Sequence, residues 1–310
     1  MDFTFSVIIR AYNAEKYIQD AVYSILNQKC RCPIEIIILY DEGSTDNTLE
    51  KLEELQKMPM PENIALKIIR HPRTTPFRAL QIGFREARGE YVTILDYDNM
   101  YPPEYLETIL QTAEKHPEAT FLFSKAYIFT DNQKTEKALV EIPEDIYDIR
   151  KQLVSNHIDV NTQIFKKSCK STIEKLLEKL NYNYFDWIFE DWLIATVALK
   201  FCKPLYVKDA YVLYRVHGTN VTYMPSSQEG NLIKRLYNID RSIKTLIAML
   251  YIFNDREIDL TITTSLIDRY LLILRFLSRY LHVSRLRLLL LINLKFIKLG
   301  FAKLKYYLRL

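Results

Sequence analysis

Asp96 and Asp98, two acidic residues with one position between them, have the spacing of a candidate metal site. They directly follow the apolar run at residues 91–95 and precede Pro102 and Pro103, so a strand should end before them and a helix begin after them. Two carboxylates at this spacing can face one hard cation such as Mg²⁺ or Mn²⁺, and a diphosphate can complete the oxygen shell. An acidic surface turn is the alternative interpretation.

A second acidic pair, Asp41 and Glu42, follows the apolar run at residues 34–39. Gly43 supplies a turn and Asp46 suits the N-cap of the next helix, whereas Asp41 and Glu42 have no such local role. A carboxylate in this position could accept hydrogen bonds from a nucleotide base or ribose. Ligands of parallel sheets bind beyond the carboxyl ends of the strands, so the sequence predicts that Asp41 and Asp96 share a cleft.

The pair Glu190 and Asp191 lies beside an apolar run at residues 187–199. Helix capping and catalysis both explain such a pair. Further along the chain, His217 could ligate a metal and Arg215 could bind a phosphate. A lone histidine is more often structural, and an arginine is more often a surface charge.

Apolar runs alternate with helical patterns through the first hundred residues. We predict strands at 5–10, 34–39, 65–69 and 91–95, with helices at about 14–27, up to about 56, and at 77–88. Strands that are apolar throughout and separated by helices indicate a doubly wound α/β domain with a mainly parallel sheet. Mixed α and β structure should continue to about residue 223, with strands near 120–129 and 205–215, and residues 231–310 should form a helical subdomain.

The composition excludes several classes of protein. Six glycines in 310 residues, none closely clustered, leave no GxGxxG or GxxxxGK[ST] loop, which argues against nicotinamide dehydrogenases and P-loop ATPases. The four cysteines, Cys30, Cys32, Cys169 and Cys202, predict reduced thiols rather than a disulfide framework or a zinc site. The N-terminus shows no secretory signal, and no apolar run reaches 18 residues, so we expect a cytoplasmic protein.

Charge is unevenly distributed along the chain. From Gln228 onward there are 15 basic and 6 acidic residues, which leaves 27 basic and 32 acidic residues before it. The acidic body argues against nucleic acid as a partner. Five basic residues near the C-terminus share one helical face: Arg287, Lys295, Lys298, Lys305 and Arg309. Residues 285–310 could therefore lie on an anionic membrane surface at the inner face of the membrane, or pack as a C-terminal helix with solvated charges.

These segments together resemble the family-2 glycosyltransferases of the GT-A fold. The resemblance covers roughly residues 4–223 and is carried, in the family's order, by SVII at 6–9 with Tyr12 and Asn13, EIIILYDEGSTDNT at 35–48, GFREARGEYVTILDYDNMYPPEYL at 83–106, Glu190-Asp191, and YRVHGTN at 214–220. It implies a GT-A-like domain at 1–227, with a nucleotide-binding half at about 1–100 and an acceptor half at about 101–227. A basic helical region would follow at 228–310.

The resemblance also implies a role for each matching residue. Asp41 would contact the base or ribose, and Asp96 and Asp98 would frame a divalent metal, Mn²⁺ or Mg²⁺, that holds the donor diphosphate. Asp191, with Glu190 beside it, would be the general base, and His217 would help to ligate the metal. Tyr12, Glu42 and Arg215 would also contact the nucleotide sugar, together with Asp41 and Asp96. The implied reaction is a single inverting displacement onto a hydroxyl of a glycan or lipid-linked acceptor, in polysaccharide or glycoconjugate synthesis.

The sequence departs from the family pattern at several positions. Glu42 and Asn99 replace acidic Asp residues, and Arg10-Ala11 stand where Pro-Thr is usual. The donor sugar, its nucleotide and the acceptor therefore stay open. A catalytically inert scaffold with this fold is one alternative. The other is a phosphotransferase that uses Asp96-Tyr97-Asp98 as nucleophile and acid, although that chemistry usually places its aspartates after the first strand, and no such pair follows residues 5–10 here.

Overall fold

The computed structural model of the protein describes residues 2–130, 133–180, 183–218, 220, 232–253 and 255–281. Its first half alternates strands and helices. The strands are β1 (Phe5–Ala11), β2 (Ile34–Asp41), β3 (Ile64–His71) and β4 (Tyr91–Ile94), and the helices are α1 (Ile18–Leu26), α2 (Thr48–Lys57), α3 (Pro76–Glu86) and α4 (Tyr105–Lys115). The four predicted strands are confirmed: β1, β2 and β3 extend one or two residues beyond a predicted bound, and β4 ends one residue before it.

These four strands form one parallel block of a larger sheet. β1 lies between β2 and β4, and β3 pairs with β2, all in parallel. β1 and β2 are almost entirely buried because helices cover both faces of the sheet, which explains why both read as unbroken apolar runs. Gly83 in α3 lies so close to β1 that an added Cβ would come within 2.7 Å of Ile8.

The second half confirms the strands predicted near 120–129 and 205–215 and adds two shorter strands that sequence patterns did not resolve. It contains β5 (Phe121–Thr130), β6 (Gln133–Ala138), β7 (Gln163–Lys166) and β8 (Pro204–Arg215), with α5 (Ile149–Val154), α6 (Lys167–Leu177) and α7 (Glu190–Phe201). Strand order is β3-β2-β1-β4-β7-β5-β6, and β8 pairs with β5. β7 runs antiparallel to both β4 and β5 and joins the two halves into one sheet. At four residues, β7 is too short to show a periodic pattern.

The predicted helical region begins with α8 (Leu232–Ile252) and α9 (Arg256–Leu281). Buried residues of α8, including Leu246 and Met249, belong to the same hydrophobic core as Ile8 and Phe77. Within the described ranges, no helix is both long and apolar enough to cross a membrane. The basic segment at 285–310 lies outside the described residues.

The prediction of reduced thiols is wrong in this structure. Cys30 bonds Cys32, and Cys169 in the first turn of α6 bonds Cys202 at the end of α7, with Cα atoms 5.3 and 5.6 Å apart respectively. The second pair is 33 residues apart in sequence, and only the packing of α6 against α7 brings it together. Spacing alone gave no signal of that contact.

Candidate active site

A cavity of about 600 Å³ opens where β1, β2 and β4 end, the edge at which ligands of doubly wound sheets bind. One end is lined by the loops after β1, β2 and β3. The other end is lined by the start of α7, the segment before it, and α8. Of the residues predicted from sequence, Tyr12, Asp41, Asp96, Asp98, Glu190 and Asp191 line this cavity, whereas Glu42, Arg215 and His217 are not among the lining residues.

Tyr12, Asp41 and Arg73 form one end of the cavity. Asp41 accepts the backbone N–H of Gly43 at 2.9 Å and a guanidinium hydrogen of Arg73 at 3.0 Å. The same guanidinium lies 3.5 Å above the Tyr12 ring centroid. Asn13 has φ 48°, and its side chain accepts the N–H of Thr45 at 2.8 Å, which ties the loop that carries Tyr12 to the loop after β2.

Arg73 was not selected from the sequence. It lies two residues after His71, which ends β3, just as Asp41 ends β2 and Asp96 follows β4 by two positions. The signal that could have found it is therefore positional. It is a charged residue directly after the third parallel strand, at the same edge of the sheet as the two aspartates.

Arg10, Asp96 and Glu190 form an ion-pair network at the centre of the cavity. Two nitrogens of the Arg10 guanidinium donate to Asp96 Oδ1 at 2.6 and 3.1 Å, and the third donates to Glu190 Oε1 at 2.5 Å. Burial alone would lower the pKa of Arg10, but the charges of Asp96 and Glu190 raise it above its ordinary value. Burial raises the pKa of Asp96, and Arg10 opposes that shift. Arg10 is one of the positions where the chain departs from the family pattern.

Asp98 and His217 meet beside this network. Asp98 Oδ2 lies 2.9 Å from His217 Nε2, and both side chains are largely buried. Arg215 donates to the backbone oxygen of Asp98 at 3.0 Å and to Asp20 at 2.8 Å, and its guanidinium also faces the ring of Tyr17 at 4.6 Å. These partners hold the loop that carries Asp98, so Arg215 supports the site from outside the cavity.

Asp191 lies in the first turn of α7. Its Oδ2 accepts the side-chain N–H of Asn156 at 2.7 Å. Burial raises the pKa of this carboxyl to about 7, and the nearby charges of Glu190 and Asp159 add to the shift. Burial also raises the pKa of Asp159, to about 6. A carboxyl with a pKa near neutrality is suited to take up and release a proton at physiological pH.

Helix α8 fixes the backbone immediately before Asp191. Arg241 donates to the backbone oxygen of Ile188 at 2.8 Å and approaches Glu190 Oε2 at 3.5 Å. The hydroxyl of Thr245 accepts the N–H of Phe189 at 2.8 Å. Sequence patterns gave no reason to link residues 241–245 to Glu190 and Asp191, because the two segments are about fifty positions apart and the contact arises only from packing.

The Asp98 carboxylate and the His217 imidazole fit a divalent cation whose ligand shell is completed by a diphosphate. One carboxylate and one imidazole suit Mn²⁺, and Mg²⁺ sites also commonly combine one or two carboxylates with substrate phosphates. Within the described ranges, no cluster of three or more acidic, histidine or cysteine side chains could hold a metal alone.

Two solved structures resemble the whole fold. TarS of Staphylococcus aureus in complex with UDP-GlcNAc superposes with a TM-score of 0.58 at 18% identity, over 96% of this chain and 77% of that one. A mannosyltransferase of Pyrobaculum calidifontis in complex with GDP-Man and Mn²⁺ gives 0.54 at 18% identity, over 93% and 79%. At this level of identity the likeness shows the fold, which is that of a GT-A-type glycosyltransferase with a C-terminal helical region.

Residues 6–183 match the family described as Glycosyl transferase family 2, and the chain belongs to that family. An uncharacterized glycosyltransferase of Haemophilus influenzae is 30% identical over 243 residues, 74% of this chain and 71% of that protein. The undecaprenyl-phosphate 4-deoxy-4-formamido-L-arabinose transferase of Proteus mirabilis is 32% identical over 111 residues, 36% of this chain and 33% of that protein. The protein is therefore a glycosyltransferase, and Glu190, Asp191 and α8 lie beyond the segment that matches the family.

Proposed function

We propose that the protein is a metal-dependent, inverting glycosyltransferase that transfers a sugar from a nucleotide-sugar donor to an acceptor hydroxyl. The observation that carries this proposal is the cavity itself. It joins Asp41, Asp96 and Asp98 at the ends of the parallel strands to Asp191, a buried carboxyl whose pKa is raised to about 7. A base at one end of a nucleotide-sized cleft is the arrangement that direct displacement requires.

The nucleotide base would lie at the end formed by Tyr12, Asp41 and Arg73. The Tyr12 ring and the Arg73 guanidinium offer two flat faces, and Asp41 offers a carboxylate that can accept a base or ribose hydrogen. Glu42 and Arg215, in this proposal, do not contact the donor directly. Neither lines the cavity, and the guanidinium of Arg215 is held by Asp98 and Asp20.

The donor diphosphate would lie over Asp96 and Asp98. Asp98 and His217 would hold a divalent cation, which when bound neutralises charge on the departing diphosphate. Arg10 engages Oδ1 of Asp96, and no contact of Oδ2 is made within the described part of the chain. This orients one Asp96 oxygen toward Arg10 and leaves the other for the donor.

Asp191 would remove the acceptor proton during the displacement. The acceptor oxygen forms a bond to the anomeric carbon as its proton passes to the Asp191 carboxylate. The bond from that carbon to the diphosphate oxygen breaks, and its electron pair leaves with the nucleoside diphosphate. Glu190 is paired with Arg10 and approached by Arg241, so it is suited to hold the start of α7 in place rather than to accept the proton.

We also propose that the enzyme works in the cytoplasm on the inner face of the membrane, with residues 285–310 on anionic lipid. Cytosolic thiols are normally kept reduced, so the redox state of the pairs Cys30–Cys32 and Cys169–Cys202 in the cell tests this location. Replacing Arg287, Lys295, Lys298, Lys305 and Arg309 by Gln should abolish sedimentation with phosphatidylglycerol vesicles, and neutral vesicles should bind neither protein. Equal sedimentation of the wild type and the Gln variant would contradict membrane binding. Alkylation of freshly isolated protein would count the free thiols.

Thermal unfolding with UDP, GDP, dTDP or CMP tests the donor site. Each nucleotide is added with Mn²⁺, with Mg²⁺ or with chelator. One nucleotide with metal should stabilise the protein, by roughly 2.7 kcal/mol at about 100 times its Kd. Asp98→Asn should lose the metal dependence, whereas Asp209→Asn, on the exposed surface of β8, should keep it. If no nucleotide stabilises the wild type, the proposal fails and an inert GT-A-like binding protein takes its place.

A further inference from the structure

Trp187 lies between two hydrogen-bonded residues at the proposed acceptor end of the cavity. Its neighbour Asp186 accepts a hydrogen bond from Arg78 at 2.7 Å, and its other neighbour Ile188 is held through its backbone oxygen by Arg241. The Trp187 side chain itself is 42% exposed and lines the cavity. Within the described part of the chain it makes no hydrogen bond and no ring contact.

The other tryptophan shows what this chain does with a structural one. Trp192 is 3% exposed, and its ring N–H donates to the backbone oxygen of Gln152. Trp187 lies five positions earlier, is partly exposed, and lines the same cavity as the proposed base. Exposing a large aromatic ring on a fixed backbone sacrifices the apolar burial that such a ring normally contributes to stability.

Tyr237 provides a second aromatic ring at the same end. It comes from α8, is 39% exposed and also lines the cavity. Its ring lies 5.8 Å from the guanidinium of Arg241, which in turn lies 4.2 Å from the ring of Phe189. Arg241 therefore holds both the α8 ring and the backbone next to Trp187. The acceptor end is completed by the helical region that follows the family-matching segment.

The charges around these rings favour a neutral ligand. Asp191, Glu190 and Asp159 line the same end, and the guanidinium of Arg241 is directed to Glu190 and Ile188. A phosphate or carboxylate would face this group of acids without an uncommitted cation from the described lining residues. A sugar ring instead presents weakly positive C–H groups, which pack against the negative faces of aromatic rings, and hydroxyls that can reach a carboxylate.

We propose that Trp187 and Tyr237 form an acceptor subsite for a neutral saccharide, whose ring packs on Trp187 and presents a hydroxyl to Asp191. This inference rests on the proposed function and narrows its acceptor from a glycan or lipid-linked molecule to an uncharged sugar ring. The phosphate headgroup of a lipid carrier is the acceptor chemistry it excludes from this end of the cavity.

Fluorescence of Trp187 provides a direct binding test that needs no turnover. In a Trp192→Phe variant the only indole is Trp187, and titration with methyl glycosides of glucose, galactose, mannose and N-acetylglucosamine, in the presence of the stabilising nucleotide, should change its emission. Farnesyl phosphate in detergent, the charged probe, should leave it unchanged. The inference would be overturned if no glycoside changed the emission, or if only farnesyl phosphate did.

Acceptor kinetics distinguish this inference from the proposed function. For the responding glycoside, Trp187→Ala should raise KM about tenfold or more, Trp187→Phe should recover much of that loss, and Tyr237→Ala should act in the same direction. Tyr23→Ala, which removes a similarly exposed ring on α1, should have no effect. Unchanged KM in Trp187→Ala, with nucleotide stabilisation intact, would reject the subsite but keep the transferase. If no nucleotide stabilises the wild type, the transferase proposal itself is rejected.

Discussion

The guanidinium of Arg10 joins Asp96 to Glu190, with contacts of 2.6 and 2.5 Å. Asp96 follows β4 and Glu190 begins α7, so this one side chain connects the donor half of the cavity to the segment that carries Asp191. All three groups are largely buried. The position of the proposed base relative to the donor therefore depends on a residue of β1, at a place where this chain departs from its family's usual Pro-Thr.

Replacing Arg10 by Met should destabilise the protein because it leaves two buried carboxylates without their partner. Breaking a buried ion pair from one side typically costs about 3–5 kcal/mol. Urea denaturation measures the loss in the free energy of unfolding. Arg10→Lys keeps a charge but not the forked geometry, so its stability should lie between those of the wild type and Arg10→Met. The double variant Arg10→Met, Glu190→Gln should lose less than the sum of the single changes. Wild-type stability of Arg10→Met would show that the network contributes nothing.

Tyr12 and Arg73 should control nucleotide binding. Removing either flat face, in Tyr12→Ala or Arg73→Ala, should weaken binding of the stabilising nucleotide about tenfold, which corresponds to about 1.4 kcal/mol. Tyr12→Phe should bind normally since it keeps the ring. Isothermal titration measures the affinities, and Tyr23→Ala serves as the control because Tyr23 has the same 37% exposure as Tyr12. Unchanged affinity in both alanine variants would place the base elsewhere.

The parallel half of the fold and its acidic strand ends could be predicted from sequence, because burial on both faces leaves unbroken apolar runs and the next polar residue marks the sheet edge. Asp41 and Asp96 were found in this way. Arg73 follows the same positional rule after β3. It was missed because it is positively charged and the prediction considered only acidic residues at the strand ends. Arg241 and Thr245 carried no local signal, since their role comes from the packing of α8 against the start of α7.

The rate of sugar transfer should rise with pH through an apparent pKa near 7. Asp191 must be deprotonated to act as a base, and its pKa is raised to about 7 by burial and by the charges of Glu190 and Asp159. Asp159→Asn removes one of these charges and should move the rising limb to lower pH. A pH–rate profile of both proteins measures the shift. A rate that is flat between pH 5 and 8 would be incompatible with Asp191 as the base.

Asp191→Asn should also make the protein more stable at high pH. Folding raises the pKa of Asp191 from 3.8 to about 7, so the folded state binds its proton more tightly than the unfolded state does. Stability from this group is full at low pH and is lost as the pH rises toward 7. The Asn variant should therefore be more stable than the wild type at pH 8, and the difference should be smaller at pH 5. Thermal melts of both proteins at the two pH values measure the difference. Equal melting temperatures at pH 8 would show that burial does not disfavour the charged form of the carboxyl.

The most direct test of the account compares turnover and donor binding in Asp191→Asn. Release of nucleoside diphosphate from the nucleotide sugar is followed in the presence of acceptor, and donor affinity is measured by titration on the same preparation. Asp191→Asn should lower the rate about 10²- to 10⁴-fold while the donor Kd stays within about twofold, because the carboxylate acts on the acceptor proton and not on the donor. The exposed Asp209→Asn variant should match the wild type in both measurements. Turnover of Asp191→Asn at the wild-type rate, with donor bound normally, would contradict the assignment of the base and the mechanism that depends on it.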